Sequence, residues 1–261
     1  MMKGRVLITG ASTGIGEAMC HYLAKQKHDL VLVARNGERL QALAKTLTEQ
    51  FGVTVTSCPM DLAVNGAALS LHEWCKSQGL NIDILINNAG VGTRGDWIST
   101  NFDDEYRLIQ LNIVTLAELC KLFARDMAER KQGWILNVAS IAGFQPGPWM
   151  SNYYASKAYV LSLSEGLGHE LKAHGITVTA LCPGPVKTPF FENAGIPEEK
   201  IFANPATMTA EAVAAAGIEG LRSGKRLVIP GFINKMIAQS GRVSPRNMQT
   251  AVSGWLNQHS I

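Results

Sequence analysis

The chain has 261 residues, of which 46% are apolar and 17% charged, with 25 glycines and 10 prolines. This is the composition of an ordinary globular domain and excludes a disordered, collagen-like or coiled-coil chain. A formal net charge of +3 is too slight to point to nucleic acid or an anionic membrane surface as a partner.

Short apolar runs alternate with helical stretches along the whole chain. The first run, Val6-Leu7-Ile8, leads into Thr9-Gly10-Ala11-Ser12-Thr13-Gly14-Ile15-Gly16 and a helical stretch near 15–27. A glycine-rich turn between strand and helix permits a tight bend and close backbone approach, and it points free N–H groups at a phosphate. Its spacing is GxxxGxG rather than the common GxGxxG. The second run, Leu30-Val31-Leu32-Val33, ends in Ala34-Arg35-Asn36, and a helix follows near 37–50 with Leu40, Leu43, Ala44 and Leu47 on one face. A carboxylate at the end of this strand would accept from the adenosine ribose of NAD. Arg35 instead offers a planar cationic fork suited to a 2′-phosphate. A charge-assisted contact of about 1.5–3 kcal/mol corresponds to a preference of roughly 10- to 150-fold, so NADP is expected over NAD.

The third run, Val53-Thr54-Val55, precedes Met60-Asp61-Leu62 and a helix near 65–77; Asp61 either accepts from an adenine amino group or caps that helix. The fourth run, Ile82-Asp83-Ile84-Leu85-Ile86, ends in Asn87-Asn88-Ala89-Gly90. Both Asp61 and this turn sit at carboxyl ends of strands, where open sheets bind ligands; the turn also has a part in tying strands together. A long helix over 102–130 holds Asn112. After Trp134-Ile135-Leu136-Asn137-Val138 comes Ser140, and a helix over 152–173 carries Tyr153 and Lys157. Four apart, these two share a helix face. A free tyrosine titrates near 10 and is a poor base at neutral pH, and a nearby ammonium is expected to lower that value. The sixth run, 176–181, leads to Pro183-Gly184-Pro185-Val186-Lys187-Thr188. The stretch from Pro189 to Met208 has weak patterning and reads as a lid. A helix near 209–222, the run Leu227-Val228-Ile229 and one or two short helices over 232–258 complete the chain.

Seven strands alternating with six helices predict an α/β fold: one domain built on a doubly wound, parallel, seven-stranded sheet. Residues 1–231 form its nucleotide-binding and catalytic body, and 232–261 a helical extension of it. The five cysteines are odd in number and form no CxxC pair, and the six histidines show no HxxxH or HxH pairing. Neither a disulfide framework nor a metal site is expected. Buried thiols suit a reducing compartment. With no secretory signal and no run near the roughly 18 apolar residues of a membrane span, the cytoplasm is the expected location.

Together, Thr9-Gly10-xxx-Gly14-x-Gly16, Asp61, Asn87-Asn88-Ala89-Gly90, Asn112, Ser140, Tyr153-xxx-Lys157 and Pro183-Gly184 with Thr188 resemble the short-chain dehydrogenase/reductase family over about residues 4–231. The resemblance implies a catalytic tetrad of Asn112, Ser140, Tyr153 and Lys157. Tyr153 would be the general acid in carbonyl reduction and the base in alcohol oxidation, and Ser140 would hold the carbonyl oxygen. Lys157 would bind nicotinamide ribose and tune Tyr153, and Asn112 would reach Lys157 through a water. It further implies NADP(H) held by Gly10, Ser12, Thr13, Gly14, Ile15, Gly16, Arg35, Asp61, Leu62, Asn88, Ala89, Gly90, Tyr153, Lys157, Pro183, Gly184, Val186 and Thr188. Thr13 departs from the extra basic residue that some NADP-preferring members place in the glycine turn. Homodimers or homotetramers built through 102–130 and 152–173 are the family's habit.

Phe144, Pro146, Pro148, Trp149 and Met150, with Phe190, Phe191, Ile196, Ile201 and Phe202 in the lid stretch, predict an apolar pocket. The expected substrate is an aliphatic, aromatic or steroid-like ketone or aldehyde, or its alcohol. The rival readings are an NADP-binding sensor or scaffold without turnover, and an epimerase or dehydratase on the same fold.

Overall fold

The computed structural model describes residues 2–190, 204–241 and 244–259. The strands are β1 (Val6–Thr9), β2 (Leu30–Ala34), β3 (Val55–Pro59), β4 (Ile84–Asn87), β5 (Gly133–Val138), β6 (Ile176–Leu181) and β7 (Leu227–Val228). They form one seven-stranded sheet in the order 3-2-1-4-5-6-7, with every pairing parallel. The helices are α1 (Gly14–Lys25), α2 (Gly37–Phe51), α3 (Ala67–Ser77), α4 (Phe102–Ile109), α5 (Leu116–Glu129), α6 (Ser151–Glu170), α7 (Ala210–Arg222), α8 (Phe232–Ser240) and α9 (Arg246–His259).

Every residue of β1 and β4 is buried, because helices cover both faces of the sheet; strands so placed read as unbroken apolar runs. Alternate side chains enter two separate cores. Leu7, Val31, Leu85, Ile135 and Val178 pack with Leu71 of α3, Phe123 of α5 and Val160 of α6. Val6, Ile8, Leu32, Ile86 and Leu136 pack with Met19 of α1, Leu40 of α2 and Ile218 of α7. Each such fully buried side chain is worth about 1.5–3 kcal/mol.

Three elements depart from the sequence expectation. The third strand lies at 55–59, not 53–55, and pairs Leu30 with Val55 through Ala34 with Pro59. It is an edge strand of mixed exposure, so its residues carry no apolar run, and Pro59 is tolerated at an edge. The helix expected over 102–130 is divided by a π-helical segment, Gln110–Thr115, which holds Asn112. The seventh strand stops at Val228, leaving Ile229 outside it.

The chain leaves β1 towards β2 and β3 and returns to add β4 on the other side. The loops after β1 and β4 therefore part, and a crevice opens at the carboxyl ends of the strands. The C-terminal helices pack near it. α8 lies on a 3₁₀ turn at Ile141–Phe144, and α9 is tied to the next loop by Ser253 Oγ donating to the Pro146 carbonyl at 2.6 Å and Asn257 Nδ2 to the Pro148 carbonyl at 2.9 Å. Among the described residues, no helix is long and apolar enough to cross a membrane.

Candidate active site

One continuous cavity of about 1140 Å³ occupies the crevice, running from Arg35 and the glycine turn to Ser140, Tyr153 and Lys157. Of the tetrad and cofactor-binding residues expected from the sequence, all line it except Gly16 and Asn112. Gly16 acts by packing instead: a Cβ there would overlap the Gly10 carbonyl oxygen. Gly10 and Gly14 adopt φ of +65° and +59°, a conformation that favours glycine. Thr13 precedes α1 without a side-chain cap, so the N–H groups of the first turn are left to face the cavity, a ready site for a phosphate.

At the far end, Arg35 and Arg39 both line the cavity, and neither forms an ion pair among the described residues. The sequence reading missed Arg39. Its signal was its place one turn beyond Arg35, on a helix capped by Asn36, whose side chain accepts from Arg39 N at 2.9 Å. Asp61 does not cap the next helix, since α3 begins six residues later behind Gly66. Its Oδ1 accepts from Ala63 N at 2.9 Å, and its Oδ2 pairs with Arg107 Nη2 at 2.9 Å. Burial pulls the Asp61 carboxyl up. The hydrogen bonds from Arg107 and Ala63, with the charges of Arg107 and Arg35, outweigh this and hold it below the usual carboxylate range. These groups fit the adenosine half of a nicotinamide dinucleotide.

The β4 turn is a tie as well as a wall. Asn88 Nδ2 donates to the carbonyls of Thr9 and Gly10 at 2.9 and 3.1 Å, and Thr9 Oγ1 accepts from the backbone of Asn88 and Ala89. Asn112 is 1% exposed, and its amide clamps both backbone groups of Val91 at 3.0 and 2.9 Å while donating to Ser156 Oγ at 3.1 Å. A Cβ on Gly90 would lie 3.3 Å from Asn112 Oδ1 and 3.5 Å from Lys157 Nζ, so the two polar groups flank that glycine.

Tyr153 and Lys157 face the same way from α6. Lys157 Nζ lies 5.8 Å from the Tyr153 ring centroid and donates to the Val138 carbonyl at 2.9 Å. The electrostatics differ from the sequence expectation. Burial dominates, pushing the Tyr153 phenol up to about 12; a hydrogen bond with Ser140 draws it part of the way back. Burial likewise lowers Lys157 to about 8. Desolvation disfavours both charged forms, so on the protein's own groups the phenol is a neutral proton donor. Ser140 Oγ accepts from Ala142 N at 3.1 Å, and Phe190 packs on the Tyr153 ring at 5.5 Å.

Over this centre lie Pro183, Gly184, Val186 and Thr188. Thr188 faces the glycine turn so closely that a Cβ on Gly14 would meet its Cγ2 at 2.9 Å. Of the residues expected to line an apolar pocket, Met150 and Phe190 do so; Phe144, Pro146, Pro148 and Trp149 do not. Phe144 joins the core, and Pro146 and Pro148 turn their carbonyls to α9. Phe191, Ile196, Ile201 and Phe202 lie outside the described residues. This end of the cavity is also lined by Ile237, from the C-terminal stretch, and by Arg94, Tyr154, Leu256 and Asn257, which carry no local sequence signal. Tyr154 OH donates to Asn257 Oδ1 at 3.3 Å.

The family model described as short chain dehydrogenase matches residues 4–199. Dehydrogenase/reductase SDR family member 7 of Homo sapiens is 35% identical over 193 residues, which is 72% of this chain and 57% of that relative. Among solved structures, a short-chain dehydrogenase from Sphingobium yanoikuyae in complex with NADPH superposes with a TM-score of 0.83 at 35% identity, covering 92% of this chain and 93% of that one. A bulky-bulky ketone specific alcohol dehydrogenase from Comamonas testosteroni gives 0.78 at 31% identity, covering 92% and 91%.

Proposed function

The chain belongs to the short-chain dehydrogenase/reductase family, and from that premise we propose that it is an NADP(H)-dependent oxidoreductase interconverting a hydrophobic ketone or aldehyde and its alcohol. The observation that carries this reading is one cavity joining two arginines that form no ion pair among the described residues, a helix N-terminus and the Ser140, Tyr153 and Lys157 group. When bound, the reduced cofactor supplies the hydride that adds to the carbonyl carbon. Arg35 and Arg39 would hold the 2′-phosphate, the first turn of α1 would receive the pyrophosphate, and Pro183 to Thr188 would hold the nicotinamide end, with the Val186 backbone and Thr188 hydroxyl as partners for its carboxamide. Ser140 donates to the carbonyl oxygen, and Tyr153 passes its phenolic proton to the oxygen as negative charge develops there. Lys157 orients the nicotinamide ribose beside Tyr153, and Asn112 holds the Val91 backbone that walls this region.

Residues 1–231 carry binding and catalysis, and 232–261 form an extension of the same domain that closes the substrate end. Assembly as a homodimer or homotetramer is supported by exposed Phe102 and Tyr106 on α4 and Tyr159 on α6, since aromatic side chains are enriched at interfaces. Five buried free cysteines support a reducing compartment, the cytoplasm.

The test is carbonyl reduction followed by NADPH absorbance. Tyr153→Phe removes the transferable proton and keeps the ring, so turnover should fall about 10²- to 10⁴-fold with NADPH affinity little changed. Undiminished turnover in that variant would remove Tyr153 from the chemistry. Wild-type enzyme should favour NADPH over NADH by at least about tenfold in kcat/KM, and equal use would remove the 2′-phosphate role from Arg35 and Arg39.

A further inference from the structure

We propose that Asn234 is a positioning residue for the nicotinamide end of the site: its amide braces Gly184, and through Gly184 the backbone that meets Ser140. The inference rests on the cofactor placement above. Asn234 stands in the first turn of α8, is 1% exposed and does not line the cavity, so any effect on a ligand passes through its neighbours.

The contacts of this amide fix its orientation. Nδ2 donates to the Ala206 carbonyl at 3.1 Å and the Pro230 carbonyl at 3.0 Å. Both partners accept, so the nitrogen must face them, and Oδ1 is turned to Gly184. There it has no hydrogen-bond partner among the described residues. The approach is so close that a Cβ on Gly184 would overlap Oδ1. A buried acceptor left unpaired is unfavourable, which makes this an expensive way merely to fill space. What the arrangement achieves is contact with two segments at once. Val186 and Met208 form a parallel bridge, with Met208 N donating to the Pro185 carbonyl at 3.0 Å and Lys187 N to the Met208 carbonyl at 3.1 Å. Gly184 and Ala206 stand two residues upstream of that pair on each side. One amide therefore sets the spacing of both arms.

The consequence reaches the chemistry through Pro183. Its carbonyl accepts from Ile141 N at 2.9 Å and lies 3.4 Å from Ser140 Oγ. A displacement of Gly184 is transmitted to that carbonyl and to the lining formed by Val186 and Thr188. The adenosine end, held by β1, β2 and α1, shares none of these bonds.

That separation supplies the test. Binding of NADPH and of adenosine 2′,5′-bisphosphate, which lacks the nicotinamide half, is measured by calorimetry on wild type and Asn234→Ala. NADPH should bind about tenfold more weakly to the variant, while the bisphosphate changes by less than about twofold. A merely structural role moves both ligands together, and equal weakening of the two, or unchanged NADPH binding, overturns the proposal while leaving the cofactor reading intact. Wild-type protein that binds neither ligand overturns the cofactor reading and this role with it. Should Asn234→Ala fail to fold, Gly184→Ala presses on the same amide from the other side. It should weaken NADPH about as much and spare the bisphosphate; parallel loss of both would again overturn the role.

Discussion

Tyr153 and Lys157 stand one helical turn apart, and removal from water acts on them in opposite senses, because one ionises to an anion and the other to a cation. Burial puts the phenol at about 12 and the ammonium at about 8. The phenol therefore keeps its proton across the working range, and the lysine is the group that titrates within it. For reduction, kcat/KM reports the free enzyme. Its pH profile should be level up to about 8 and decline above it, as Lys157 loses the charge proposed to orient the ribose. A profile level through about pH 10 would show that this charge is not used. Neighbouring residues divide their work with equal economy. Tyr154, next to Tyr153, points to Asn257 and lines the cavity, while Tyr153 faces Ser140.

α4 links the two halves of the crevice. Asn101 caps it, its Oδ1 accepting from Asp103 N at 2.8 Å and Asp104 N at 3.2 Å, with Asp103, Asp104 and Glu105 in the first turn favoured by the helix dipole. Asn101, Asp104 and Arg107 all line the cavity, and Arg107 fixes Asp61. Asn101→Ala should cost about 1 kcal/mol and lower Tm by about 2–4 °C, read by thermal denaturation. An unchanged Tm would mean that the π-helical segment and α5 hold α4 without its cap. The same elements show what a sequence discloses. β1 and β4 were legible because burial on both faces makes them continuous apolar runs, and the glycine turn because its backbone demands are local. β3 was misplaced because an edge strand needs no such run. The π-helical segment was invisible because it shifts hydrogen bonds without changing hydropathy. The contacts of α9 with Pro146 and Pro148 join positions more than a hundred residues apart, and nothing in the local pattern foretells them.

At the scale of the whole molecule, the five cysteines are distributed through both cores, all buried and free. Burial raises every thiol: Cys58 to about 11, Cys75, Cys120 and Cys182 to about 12, and Cys20 further still. In the unfolded chain a thiol ionises near 8.5. A group whose pKa is raised by folding contributes stability in full below its unfolded pKa, and that contribution is lost as pH climbs towards the folded value. One pH unit above the unfolded value, each such thiol removes about 1.4 kcal/mol, and Tyr153 adds to the loss at higher pH. Lys157 works the other way. Its pKa is lowered by folding, so between about 8 and its ordinary value of 10.5 the folded state binds fewer protons and gains stability with pH. Five thiols outweigh one lysine, so stability should decline from about pH 8 to about pH 10 by several kcal/mol. Urea denaturation under reductant reads this directly as a lower midpoint at the higher pH, with the slope unchanged if the same surface is exposed. A midpoint that holds or rises would mean that the thiols ionise in place.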